Sequence, residues 1–281
     1  MKQMLLFCVA ALISASVCFG QETYSVWPSL APGEKGDKSA PELKLYKPAE
    51  KKTDTCLIVF PGGGYYGLAS DHEGTKIAQY FNEKGMTVAV LLYRVPRRDG
   101  VEKHVAAWQD AQRAIRFVRS HAVQWGINPE KIGAMGFSAG GHLTLMCATS
   151  SQTPAYEPVD ELDKTPCHLN FAAPVYPAYV LEDGADGTNS NKGFDSPIVK
   201  EFAFDAKTPP MCLIHGDDDG YSSMGSVAVY TKLKKMSIPA ELHIFAKVGH
   251  GFGARPTLDP QNKHVGDWLN RVYEWTKVVG F

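Results

Sequence analysis

An α/β fold with a mostly parallel central sheet flanked by helices is the expectation for this chain. Three observations carry it. Apolar, strand-length runs alternate with amphipathic, helix-length runs along most of the 281 residues. A Gly-x-Ser-x-Gly turn stands between one such strand and one such helix, and loops bearing carboxylates and a histidine follow later strands.

The elements follow in chain order. Lys2 precedes an apolar run from Met4 to Phe19, short for a membrane span and followed at once by Gln21-Glu22-Thr23. That pattern predicts a secretory signal over residues 1–20 and one domain over residues 21–281, secreted or periplasmic, with no stable membrane insertion after cleavage. A polar lead runs from Gln21 to about Ala40, and Asp71 is expected to cap the first helix. Strands are expected at Glu42–Tyr46, Thr55–Phe60, Met86–Tyr93, Lys131–Met135, Leu169–Tyr176, Pro210–His215 and Ala240–Phe245. Helices are expected at Thr75–Glu83, about His104–Trp125, Gly140–Thr149, Met224–Met236 and Val265–Val279, with a short one at Ser196–Glu201. Ser150–Thr165 and Ala178–Thr208 read as irregular connections, neither long enough for a second domain, so the sheet carries a minimal cap or none.

Composition narrows the function. Lys plus Arg total 29 against 30 Asp plus Glu, which leaves no basic excess for a phosphate backbone, so nucleic acid is not expected as a partner. Cys56, Cys147 and Cys212 fall in apolar, core-like runs; with Cys167 they are expected to be unbridged. No Cys-x-x-Cys pair or zinc-type Cys/His spacing occurs, so no metal is assigned.

Chemistry concentrates in four loops. Gly136-Phe137-Ser138-Ala139-Gly140 follows the run KIGAM and opens GHLTLMCA, the context of a nucleophile elbow, so Ser138 is the candidate nucleophile. A serine hydroxyl needs a base, and the base needs an orienting acid. Of nine histidines, His250 stands in a loop beside Gly249, Gly251 and Gly253 after a strand; His104, His121, His243 and His264 lie on or beside regular elements. His72, His142, His168 and His215 are read as structural. Asp217, Asp218 and Asp219 are adjacent, and like charges are not buried together, so one is the orienter: Asp219 first, Asp218 next. Pro61-Gly62-Gly63-Gly64 follows another strand and brings bare amides towards an oxyanion; Ala139 supplies a further amide. Tyr65, Tyr66 and Trp108 are candidates to stack on substrate.

The segments PGGGYYGLASDHEG, LLYRVPRR, DAQRAIRFVRSHAVQWGINPEKIGAMGFSAGGHL, HGDDD and GHGFG resemble the α/β-hydrolase superfamily, and within it small secreted bacterial esterases related to acetyl xylan esterases. Some such proteins carry xylanase-type names, yet nothing here supports glycosidic cleavage. The resemblance implies an α/β-hydrolase fold, a Ser138, His250 and Asp219 triad, oxyanion donors at Gly63, Gly64 and Ala139, and no cofactor. Pro61 stands where many relatives have His, and Tyr221-Ser222-Ser223 replaces a common Val-Pro, departures that concern substrate contacts more than the triad. The expected activity is deacetylation of plant polysaccharide or oligosaccharide. The alternatives are a prolyl-oligopeptidase-like exopeptidase, for whose usual propeller the chain has no spare length, and a non-catalytic binding member. Acyl group, sugar and oligomeric state are left open.

Overall fold

Apolar runs without polar alternation belong to strands covered on both faces. The computed structural model, which describes residues 20–34, 40–182, 196–255 and 264–281, shows this plainly. In β3 (Cys56–Phe60), β5 (Ile132–Phe137), β6 (Phe171–Val175) and β7 (Met211–Gly216) every residue is buried. In β4 (Thr87–Leu92) all but the last are. β2 (Glu42–Lys47) alternates and β8 (Ala240–Phe245) is half-buried, as suits strands nearer the edges.

Eight strands form one sheet in the order β1-β2-β4-β3-β5-β6-β7-β8. β2 runs antiparallel to both neighbours, and the remaining pairs are parallel. On one face pack α2 (Val105–His121), α3 (Ala139–Thr149) and α4 (Met224–Lys235), through residues such as Ile115, Leu143 and Leu233. Ile77 and Phe81 of α1 (Lys76–Glu83) and Trp268 and Val272 of α5 (Trp268–Val278) cover the other. Adjacent strand residues divide between these layers: Ile58 and Phe60 join the first, Leu57 and Val59 the second.

Cys56, Cys147, Cys167 and Cys212 are buried and unbridged. Among the described residues no helix is long and apolar enough to cross a membrane. Of the signal expected over residues 1–20, residues 1–19 lie outside the described residues.

Three expectations need correction. The polar lead contains a strand, β1 (Gly20–Ser25), paired antiparallel with β2 from Gly20↔Lys47 to Ser25↔Glu42. Its polar sequence hides it, because an edge strand needs only one partner. Ser196–Glu201 is not helical: Ile198 bridges antiparallel to Leu181, and Glu182 N–H donates to the Pro197 carbonyl at 3.0 Å. Asp71 does not cap a helix from outside; it begins a one-turn π-helix (Asp71–Thr75) and pairs with Lys76 at 3.0 Å. The cap expectation falls partly on residues 183–195, outside the described residues; among those described between β6 and β7 there is no helix.

Candidate active site

Parallel strands direct their carboxyl ends to one edge, and the loops leaving those ends converge there. Four of them matter: after β3, β5, β7 and β8.

At the end of β5 the chain turns directly into α3 with Ser138 at the junction, φ +54° and ψ −117°. A side chain rarely occupies that backbone region, and small neighbours make the turn possible. A Cβ on Gly136 would lie 2.0 Å from the Gly140 carbonyl oxygen, and one on Gly140 would lie 2.1 Å from that of Phe60. These glycines let β5, α3 and β3 touch.

His250, in the loop after β8, places Nε2 2.7 Å from Ser138 Oγ. Its Nδ1 lies 2.9 and 2.8 Å from the two Asp219 oxygens. Asp219 is 1% exposed, whereas Asp217 and Asp218 face solvent. The Tyr221 N–H also donates to Asp219, at 2.7 Å. The structure therefore brings Ser138, His250 and Asp219 into one hydrogen-bonded line and leaves Asp218 outside it.

His215 sits behind this line. Burial holds its imidazole down to about 4, so it is neutral. Its Nε2 faces the Tyr221 carbonyl at 3.0 Å, an acceptor only, so Nε2 carries the hydrogen and Nδ1 accepts from the Ser226 hydroxyl at 2.8 Å. The same Nε2 is 3.5 Å from Asp219. A neutral donor thus backs the carboxylate without a competing positive charge.

The glycine loop lies against the serine. A Cβ on Gly62 would meet Ser138 Cβ at 3.0 Å. Gly63 has φ +139°, and its carbonyl is turned back into the loop, accepting from the N–H groups of Tyr66 at 3.0 Å and Gly67 at 3.1 Å. The Ala139 N–H, at the first position of α3, has no intrahelical acceptor. Gly62 thus touches Ser138 and Ala139 follows it in the chain, while Gly63 and Gly64 continue the same loop.

Glu73 has a larger part than its sequence suggested. It is 3% exposed; Oε2 accepts from the Gly62 N–H at 2.8 Å and Oε1 from the Tyr176 hydroxyl at 2.8 Å. The Tyr176 oxygen in turn accepts from the Gly253 N–H at 2.8 Å, and its ring packs on His250 with centroids 5.0 Å apart. Burial first, then the Glu73 charge, holds the Tyr176 phenol well above its ordinary range, so it remains a donor. One carboxylate consequently joins the glycine loop to the histidine loop. A signal existed: Glu73, Ile77 and Phe81 recur at a spacing of four, which places an acid on an apolar stripe.

The aromatic candidates separate. Tyr66 is 60% exposed with the Arg97 guanidinium 4.3 Å from its ring centre. Tyr65 is instead buried, its hydroxyl 2.9 Å from His142 Nδ1, a correction to its expected place against substrate. Trp108 packs at the core margin. Tyr221, not anticipated, lies 4.8 Å from His250 between ring centres.

Comparison with known proteins agrees with this fold. Residues 43–176 match the BD-FAE family. The chain is 27% identical over 240 residues to an acetylxylan esterase of Xylanibacter ruminicola, covering 79% of this chain but 47% of that protein. It thus spans about half the length of this curated relative. Among solved structures, an acetyl ester-xyloside bifunctional hydrolase from Caldicellulosiruptor lactoaceticus superposes with a TM-score of 0.77 at 29% identity, over 92% of this chain and 97% of that one. Thermogutta terrifontis esterase 2 phosphorylated by paraoxon gives 0.73 at 26% identity, over 93% and 95%.

Proposed function

We propose that this chain, an α/β-hydrolase by fold, is an exported serine esterase that removes acetyl groups from plant polysaccharide or its oligosaccharides. The observation that carries the reading is the unbroken line from Ser138 Oγ through His250 to Asp219.

In this reading His250 Nε2 takes the Ser138 proton as Oγ attacks the ester carbonyl, then passes it to the departing alcohol. Water, activated by the same nitrogen, hydrolyses the acyl-serine. Asp219 keeps the Nδ1 hydrogen in place and favours the imidazolium that forms. The N–H groups of Gly63, Gly64 and Ala139 receive the negative charge of the tetrahedral intermediate; such donors act strongly because they are fixed before the charge develops. No step requires a cofactor.

Support for an activated serine includes the paraoxon-phosphorylated neighbour, since paraoxon transfers its phosphoryl group to an activated nucleophile. Support for a carbohydrate ester comes from the acetylxylan esterase relative and the xyloside-hydrolase neighbour. The exposed ring of Tyr66 offers a surface on which a sugar face can stack. Support for export is the apolar run ahead of Gln21.

The test uses acetylated xylan, p-nitrophenyl acetate and a dipeptide anilide with the mature protein and its Ser138→Ala variant. Acetate release lost in the variant is the expected result. Anilide release without acetate would transfer the chain to the exopeptidase class, and no release from folded protein would make it a binding member. N-terminal sequencing of exported protein should begin at Gln21.

A further inference from the structure

Behind the elbow, three segments bring metal-ligating side chains together: His104 beside the start of α2, His142 on α3, and Glu201 from the stretch that follows Ile198. One ligand atom from each lies within 4.8 Å of the others. His142 is fully buried and His104 is 8% exposed. His142 Nε2 and His104 Nδ1 are both buried without a hydrogen-bond partner among the described residues. Leaving such nitrogens unpaired is costly, and two in one place call for an explanation.

The His142 to Glu201 contact supplies one. Nε2 and Oε1 are 3.4 Å apart and do not meet hydrogen-bond geometry. Two ligands each about 2.0–2.1 Å from a shared tetrahedral zinc are separated by a similar span, about 3.4 Å. On the far side of the same ring, Nδ1 lies 2.9 Å from the Tyr65 hydroxyl. That is the arrangement by which a metal-bound imidazole is held in its tautomer: Nδ1–H donates outward, and Nε2 presents its lone pair. An aromatic wall surrounds the cluster, with Phe202 5.1 Å and Tyr179 5.9 Å from the His142 ring. The Lys103 ammonium, the nearby opposing charge, rests 4.2 Å over the Tyr179 ring.

We propose that His104, His142 and Glu201 form a structural site for zinc or a zinc-like divalent transition ion, with water completing the coordination. Two imidazoles and one carboxylate suit zinc, and Glu201, the partly exposed member, gives the ion its way in. Chain-order spacing could not disclose the site, because its ligands come from three separated segments. The ion would fasten the Ile198–Glu201 stretch to α2 and α3 and, through Tyr65, steady the glycine loop. It takes no part in bond cleavage, and the inference stands whether or not the chain is an esterase.

The test uses untagged full-length mature protein, stripped with a chelator and titrated with Zn2+ against a chromophoric competitor. One zinc per chain, with a rise in Tm on loading, is expected. Co2+ should give the visible d–d absorption of a tetrahedral N2O2 site. Glu201→Gln and His104→Gln, each checked for native circular dichroism, should weaken Zn2+ binding by at least about 10–100-fold. Sub-stoichiometric binding by the unaltered protein would overturn the proposal, as would an affinity unchanged in both variants. The Co2+ spectrum of unaltered protein decides the matter if either variant misfolds.

Discussion

Ser138, His250 and Asp219 lie far apart in the chain but within hydrogen-bond reach in the fold, and burial and hydrogen bonding separate the aspartates. Asp219 is enclosed and receives donors from Tyr221 and His250, while Asp218 is exposed and its backbone N–H serves the Val248 carbonyl. Asp219→Asn should lower kcat by about 10⁴ on p-nitrophenyl acetate, by unsettling the tautomer of His250; Asp218→Asn should turn over normally. Equal losses in the two variants would contradict the geometry. Serine, histidine and the acidic triplet were legible in the sequence because each follows an apolar run and carries a strong turn pattern. His215 was legible only as a packing residue, since its hydrogen bonds to Ser226 and Tyr221 exist only after β7 and α4 meet.

Between elements the decisive links are buried carboxylates. Glu73 holds Gly62 and, through Tyr176, Gly253, so one carboxylate ties the loops after β3 and β8 together. Glu73→Gln replaces an acceptor-only group by one that also donates, and one of its two donors loses its partner. We expect kcat to fall by about 10²-fold with KM little changed, because a small misplacement of reacting groups is enough. Asp71→Asn, at the exposed start of the same turn, is the control and should leave both constants unaltered. A second link joins the end of β4 to α2: Arg94 is fully enclosed and bonds Asp110, which also accepts from the Trp27 indole at 2.8 Å. Asp110→Asn takes one of two carboxylates from the Arg94 guanidinium, Glu34 staying 3.1 Å away, and should cost about 1.5–3 kcal/mol, read as a lower midpoint in urea. Apolar runs announced β3 to β7 to within two residues at either end. β1 stayed hidden because Gln21-Glu22-Thr23 carries no apolar pattern, and Ser196–Glu201 misled because Ile198 and Val199 favour extended backbone once a partner strand is present.

Across the whole molecule, the sheet order assigns the work unevenly. The loops of the site leave β3, β5, β7 and β8, whereas β1 and β2 only widen the sheet at its antiparallel end. Stability should follow the buried imidazole of His215. His215 is pushed down to about 4 by burial. An unfolded histidine titrates near 6.5, so between about 6.5 and 4 the unfolded chain binds more protons, and falling pH favours unfolding. Tm should therefore be level above about pH 6.5 and decline steadily below it; His215→Gln should flatten that decline. A Tm insensitive to pH across this interval would mean this ring is not held neutral.

The left-handed backbone at Ser138 sets one more condition on the molecule. Holding a serine there costs about 1–3 kcal/mol that glycine would not incur. Ser138→Gly should thus melt at a higher temperature than the unaltered chain while hydrolysing nothing. Any laboratory evolution that screens survivors of heating by solubility alone would enrich inactive chains, and only a selection coupled to turnover would keep the serine in place.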